Sequence, residues 1–181
     1  MASQKAIALQ QIQTPLGVLL AGATAKGICL LEFTDTKRLE FQIPRLEKAF
    51  SARVTTGSSV FFKQLESQLN AYFAGSRRDF SDLPLDLRGT DFQIRTWQAL
   101  CEIPYGETRS YQQQAQAMRR PKAIRAVANA NRNNRISIVI PCHRVIGKNG
   151  SLTGYGGGLW RKEFLLALEK SKYLEKQSST G

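Results

Sequence analysis

Apolar and polar positions alternate along residues 7–33, with breaks at Thr14-Pro15-Leu16-Gly17 and at Ala25-Lys26-Gly27. Alternation puts every second side chain on one face of a strand, and Pro/Gly clusters mark turns. Three short strands over 7–13, 18–24 and 28–33 in an antiparallel meander are therefore predicted. Cys29 lies in the third, alternating with Leu31, and reads as core. Residues 37–51 are charged and mildly amphipathic, and 55–59 are polar. From 60 to 73, Phe62, Leu65, Leu69, Tyr72 and Phe73 recur at helical spacing, and Gly75 closes the run. One inward-facing stripe of this kind is a packing pattern rather than a base-stacking platform. Residues 76–89 have no period and contain Pro84, so they read as a linker between two domains, 1–88 and 89–181.

The second half opens with Thr90-Asp91-Phe92-Gln93, a capping box that starts a helix through Ile94, Trp97, Leu100 and Cys101. Cys101 falls on its apolar stripe. Ile103-Pro104-Tyr105-Gly106 reads as a turn, and Ser110-Tyr111-Gln112-Gln113 is a second capping box. Arg119-Arg120-Pro121 breaks that helix, and a third is predicted over 122–131, with Pro121 at its first turn. A helix, a short turn and a helix of small residues interspersed with Lys, Arg and Asn is the helix-turn-helix pattern.

The run Ile136-Ser137-Ile138-Val139-Ile140 is β-branched and reads as a short buried strand that stops at Pro141, leaving Cys142 just past its end. Gly147-Lys148-Asn149-Gly150 is a turn, and residues 154–158 are a glycine-rich loop able to bring backbone amides near a ligand. A last helix is predicted over 160–170, with Phe164, Leu165 and Leu168 inward and Glu169 beside them; from Ser171 the tail reads as frayed. The predicted class is α+β: a small N-terminal antiparallel sheet domain with a helix, then a helical, winged helix-turn-helix-like domain.

Charge narrows the partners. Against 26 Lys and Arg stand 14 Asp and Glu, a net charge of +12 with pI about 10.0. A polyanion is expected, nucleic acid first and an anionic membrane surface second. No stretch is long and apolar enough to span a bilayer and no signal core is recognisable at the N-terminus, so a cytoplasmic or nuclear monomer is expected. The three cysteines, Cys29, Cys101 and Cys142, are widely spaced, and there is one histidine. Neither a disulfide framework nor a zinc site fits, and no metal or cofactor is expected.

The chemistry gathers at Cys142-His143-Arg144. Adjacent side chains in extended backbone point to opposite faces, so a water-bridged relay from thiol to imidazole is expected rather than a direct bond. Arg144 adds positive charge, which favours thiolate over thiol. Alone, a cysteine is more often a small buried hydrophobe.

Pro141-Cys142-His143-Arg144-Val145, preceded by Asn134 and followed by Gly154-Tyr155 and Gly157-Gly158, resembles the active-site signature of the O6-alkylguanine-DNA alkyltransferases. The resemblance runs over residues 90–170 and more weakly through the first half. It implies a helix-turn-helix bound in the minor groove of double-stranded DNA that flips an O6-alkylguanine, and O4-alkylthymine as well, beside Cys142. That residue takes the alkyl group once and is consumed. Residue by residue, it implies that Tyr111 donates to the base ring, that Arg125 fills the gap in the stack, and that Glu169 orients His143. It implies also that Asn134 ties the turn before Cys142, that Tyr155 and the loop through Gly158 wall the pocket, that the Gly156 amide meets the guanine oxygen, and that the Cys142 and Val145 carbonyls accept from the exocyclic amine. Lys122, Ala123, Ala126 and Ala128, with Arg144, complete the implied DNA or substrate contacts. The chain departs from the family pattern at Ala128 and Asn129, where glycines are common, at Arg135, where proline is usual, and at Gly156, where some members have a hydroxyl. Two other readings stay open: a damage-recognising module that does not repair, and a Cys-His-Glu thiol hydrolase that turns over.

Overall fold

A computed structural model describes residues 5–179; residues 1–4 and 180–181, the latter part of the predicted frayed tail, lie outside the described residues. The chain divides between Gly89 and Thr90 into two compact units.

The first unit is built on a four-stranded sheet of order β3-β2-β1-β4. Strands β1 (Ala6–Thr14), β2 (Gly17–Ala23) and β3 (Ile28–Phe33) form the predicted meander, with β1 and β2 paired from Ala8↔Ala23 to Thr14↔Gly17. The segment over 37–51 is a helix, α1 (Arg38–Phe50), carrying Pro44 inside it. It ends at Ser51 in the left-handed region, φ 47°, and leads at once into β4 (Arg53–Thr56), which pairs parallel with β1. The sheet is thus mixed and not purely antiparallel, because α1 supplies the crossover that a parallel neighbour requires. Four residues of Arg-Val-Thr-Thr, largely exposed, carry too little pattern to announce a strand. Helix α2 (Val60–Phe73) has the predicted bounds, capped by Ser59. It buries Phe62, Leu65, Leu69 and Tyr72, while Phe73 is half-buried. All six residues of β3 are buried, including Cys29.

Residues 76–89 are no free linker. Phe80 and Leu83 are buried, Ile28 N–H donates to the Pro84 carbonyl at 2.9 Å, and Asp86 N–H donates to the Ile28 carbonyl at 2.8 Å. Gly27 permits that approach: a Cβ there would lie 2.5 Å from the Pro84 oxygen. Irregular backbone hides such docking from any periodicity argument, since the partner strand is far away in sequence.

The second unit holds α3 (Asp91–Cys101), α4 (Tyr111–Ala117), α5 (Ile124–Arg132) and α6 (Leu159–Ser179). Both capping boxes are formed, Thr90 with Gln93 and Ser110 with Gln113. Cys101 is exposed, at the end of α3, and is not part of the core. Helix α5 starts two residues later than predicted, so Lys122 and Ala123 precede its first turn. A two-residue parallel pair, β5 (Arg109–Ser110) with β6 (Val145–Ile146), was hidden by its brevity. Helix α6 runs on well past Lys170, because Tyr173 packs against Gly106; a Cβ on Gly106 would lie 2.8 Å from the Tyr173 Cβ. Phe164 is exposed instead of inward, and Leu168 is half-buried. Among the described residues no helix is long and apolar enough to cross a membrane.

Candidate active site

The buried run before Cys142 is not a strand. Ser137–Val139 are a turn, and Ile138 has φ 70°, a rare conformation for a β-branched residue. Val139 N–H donates to the Ser137 carbonyl at 2.8 Å, a γ-turn centred on Ile138; Cys142 N–H donates to the Ile140 carbonyl at 2.8 Å, an inverse γ-turn centred on Pro141 with φ −83° and ψ 62°. Ile136, Ile138, Val139 and Ile140 are all buried. Their burial is what the apolar run reports; the missing element is a neighbouring strand to pair with.

Asn134 takes that neighbour's place. Its Oδ1 accepts from the Ile136 N–H at 3.0 Å, and its Nδ2 donates to the Ile140 carbonyl at 2.9 Å and to Cys142 Sγ at 3.3 Å. One amide therefore closes the loop and puts a donor on the sulfur. Cys142, His143 and Arg144 then form a single 3-10 turn, in which successive side chains point about 120° apart and not to opposite faces as in a strand.

His143 and Glu169 are both fully buried, with Nε2 and Oε1 2.8 Å apart. Arg144 lies against the same carboxylate, Nε to Oε2 and Nη2 to Oε1 each at 2.9 Å, and donates from Nη1 to the Ile103 carbonyl at 2.6 Å. Burial acts to raise the Glu169 carboxyl, but the His143 and Arg144 contacts outweigh it and hold it below the usual carboxylate range. An ionised carboxylate only accepts, so Nε2 carries the imidazole proton and Nδ1 keeps its lone pair. Nδ1 is buried and has no hydrogen-bond partner among the described residues. Burial also pushes the imidazole below its ordinary value, against the pull of Glu169. The Arg144 guanidinium is thus held on the Glu169 carboxylate. Arg144 is 6% exposed and its charge is matched by Glu169.

The cation that sequence reasoning missed is Lys162. It is fully buried on α6, and its Nζ donates to the Val145 carbonyl at 2.5 Å and to the Thr153 carbonyl at 2.8 Å. Burial lowers it to about 8, while the charge on Cys142 acts the other way. A lysine beside a glutamate on an amphipathic helix reads as a solvated charge, and nothing in the sequence distinguishes this one. Its ammonium ties the pocket loop to the end of β6 behind Cys142 and occupies one position on the Val145 oxygen.

Around the thiol, Tyr111 donates from its hydroxyl to the Thr153 carbonyl at 3.2 Å, and a Cβ on Gly154 would sit 3.7 Å from that hydroxyl. Tyr155 meets the His143 ring edge-on at 6.5 Å between centroids, and Gly156 is exposed on the same loop. On α5 Arg125 and Ala126 are exposed and Ala128 is half-buried, while the other face buries Val127, Ala130 and Asn131; just before the helix, Lys122 is exposed and Ala123 half-buried. Among the described residues no group of His, Cys, Asp and Glu is placed to hold a metal.

Residues 91–171 match the family model described as 6-O-methylguanine DNA methyltransferase, DNA binding domain, and residues 9–87 match its ribonuclease-like domain. A methylated-DNA--protein-cysteine methyltransferase of Methanosarcina barkeri is 47% identical over 161 residues, covering 88% of this chain and 95% of that protein. The protein of the same name from Mycobacterium tuberculosis is 60% identical over 111 residues, 61% of this chain and 67% of its own. The solved O6-methylguanine methyltransferase of M. tuberculosis is 44% identical, with a TM-score of 0.77 over 92% of this chain and 94% of that one. A structure of the M. tuberculosis OGT in complex with DNA has 44% identity and a TM-score of 0.76 over 91% and 93%. With a thiol held by an asparagine amide, an imidazole backed by a buried carboxylate, and both halves matched, the chain belongs to the 6-O-methylguanine DNA methyltransferase family.

Proposed function

We propose that the protein is a methylated-DNA-protein-cysteine methyltransferase that reverses O6-alkylation of guanine in double-stranded DNA, using Cys142 as the acceptor. The observation that carries this is the Cys142 environment: Asn134 Nδ2 donating to Sγ, and His143 presenting an unpartnered Nδ1 while Nε2 is fixed on Glu169. In the proposed step the thiol proton passes to Nδ1 through a water, and the thiolate attacks the alkyl carbon. A C–S bond forms, the C–O6 bond breaks, and its electron pair leaves on the guanine. Tyr111, at the mouth of the loop, supplies the hydrogen bond or proton that neutralises the developing anion. Glu169 stabilises the imidazolium without itself taking a proton, the logic of a triad.

The lesion reaches the thiol by leaving the base stack, at a cost of about a few kcal/mol. Arg125 then fills the gap, a role that its exposure on α5 supports. Charge of +12 supplies the sequence-independent part of binding. All of the reacting groups belong to the domain over 89–181, and we assign the domain over 1–88 a structural role. The place of work is the genome, the nucleoid in a cell without a nucleus.

A thioether does not hydrolyse, so each molecule reacts once. Intact-protein mass spectrometry after mixing with excess DNA bearing O6-methylguanine should show one added methyl on Cys142 and no further reaction. Cys142→Ala should bind the same DNA and stay unmodified. Turnover beyond one equivalent would point to a hydrolase, and binding by the parent protein without a mass shift would point to a recognition module.

A further inference from the structure

The two helices of the helix-turn-helix are short, seven residues in α4 and nine in α5. Helices of about two turns are marginal by themselves, so their mutual orientation must come from packing. The apolar part of that packing is made of small side chains: Ala115 from α4, with Ala130 and Val127 from α5, all buried. Small residues interdigitate weakly and tolerate a sliding of one helix along the other. Something else has to set the register.

Gln114 and Asn131 lie in the middle of this contact, 0% and 7% exposed. Their amides are reciprocally bonded: Gln114 Nε2 donates to Asn131 Oδ1 at 3.1 Å, and Asn131 Nδ2 donates to Gln114 Oε1 at 2.7 Å. Gln114 Nε2 also points at the Thr96 carbonyl of α3 at 3.4 Å. The same α5 turn is tied to α3 by Trp97, whose Nε1 donates to the Ala130 carbonyl at 2.9 Å. From Asn131 the connection continues, since Asn134 N–H donates to the Asn131 carbonyl at 3.1 Å and Asn134 reaches the thiol. A buried amide pair can satisfy itself in one alignment only, and a slip of α5 by one residue would leave four polar groups unpaired in a dry interface.

We infer that Gln114 and Asn131 are positioning residues that fix the register of α5 on α4, and so the placement of Arg125 relative to Tyr111, for reaction with duplex DNA. The inference rests on the repair function proposed above and adds to it a pair for which that function alone gives no role. A buried polar pair used to select one alignment among several is the best-attested service of such groups, at some expense of stability. Neither residue touches the thiol or a base. Their effect belongs to the presentation of the helix, and it should separate duplex from free base.

The test is the apolar double variant Gln114→Leu with Asn131→Leu, which removes both partners and leaves no unpaired amide. Its melting temperature should equal or exceed the parent's. Its reaction with free O6-benzylguanine should stay within about twofold of the parent, while repair of O6-methylguanine in duplex DNA should slow by at least about tenfold, since misplacement by about 1 Å can cost up to about 10²-fold. Parent-like duplex repair in the folded double variant would overturn the inference. Equal losses on both substrates would overturn it too, because the pair would then serve the pocket and not the helix. Should the apolar variant not fold, the exchange Gln114→Asn with Asn131→Gln decides: it keeps the summed side-chain length and the amide pair. Duplex repair within about threefold of the parent is expected of it, and a loss of about tenfold at an unchanged melt would count against register control. Methyl transfer by the parent protein is measured alongside, so failure of the repair function itself would be seen separately.

Discussion

Asn134 makes three bonds with one amide, to the backbone on both sides of the Ile138 γ-turn and to the sulfur. Asn134→Ala takes the partner of the buried Ile136 N–H and leaves the Ile140 carbonyl with the Cys142 N–H, so one buried backbone group is orphaned, at about 1–3 kcal/mol. A loss of about 1–3 kcal/mol in urea unfolding is expected, together with slower alkyl transfer. A variant as stable as the parent would mean that the loop holds itself. Glu169 has a double duty that spacing along α6 does not reveal: it fixes the His143 tautomer and neutralises Arg144. Glu169→Gln strands a buried guanidinium, so a cost of about 3–5 kcal/mol is expected from the broken ion pair. It should also slow reaction with free O6-benzylguanine by about 10²-fold, the lower range for a lost acid-base partner. Stability and rate have to be read separately here. Superimposable pH-rate curves for parent and variant would remove the relay whatever the melts show.

At the scale of elements, the last helix matters further along its length than its pattern suggests. Tyr173 covers the turn at Gly106, and that turn contributes the Ile103 carbonyl to Arg144 and the Gly106 N–H to Glu169 at 3.4 Å. Gly106 has φ 82°, which a side chain rarely adopts, and no room for a Cβ. Gly106→Ala should therefore cost more than about 1 kcal/mol, through strain and contact together. Differential scanning calorimetry checks it, and an unchanged Tm would show that the turn yields freely. The capping boxes at Thr90 and Ser110 were legible because a cap is local chemistry within four residues. Strand β4 and the 76–89 segment were not, because their stability comes from partners in β1 and β3.

For the whole molecule, pH and salt address charge directly. Burial lowers Lys162 to about 8 from 10.5, so between those values the unfolded chain binds more protons than the folded one and stability rises with pH. On the acid side, burial holds His143 below 6.5; as pH falls through that value the unfolded chain takes the proton first, and stability falls. Glu169 is depressed, so its contribution is present above 4.5 and is lost as pH drops below it. Melting temperatures from pH 4 to 10.5 should show both limbs. Lys162→Met should flatten the alkaline rise relative to the parent and leave the acid limb in place, and an equal alkaline rise in both proteins would assign it to the general relief of positive charge. DNA affinity should fall steeply with salt, with a slope that decreases by about one for each phosphate-contacting Lys or Arg removed. Lys122→Ala, at the exposed entry to α5, is the variant to measure, and an unchanged slope would place Lys122 off the phosphates.

What the sequence determined by itself is whatever local rules carry: the meander strands, helix α2 and both capped helix starts, the basic charge, and the tetrapeptide from Pro141 to Arg144. Each depends on neighbours a few positions away, where periodicity, caps and turn chemistry act. Tertiary structure alone decided that the Ile136–Ile140 run would be a strained, buried turn, that Arg144 would pair with Glu169, and that Lys162 would be buried beneath the pocket loop. Burial identifies a residue as interior but does not say which element holds it. A charge's role is set by the groups that desolvate and pair it, and those arrive from other segments of the chain.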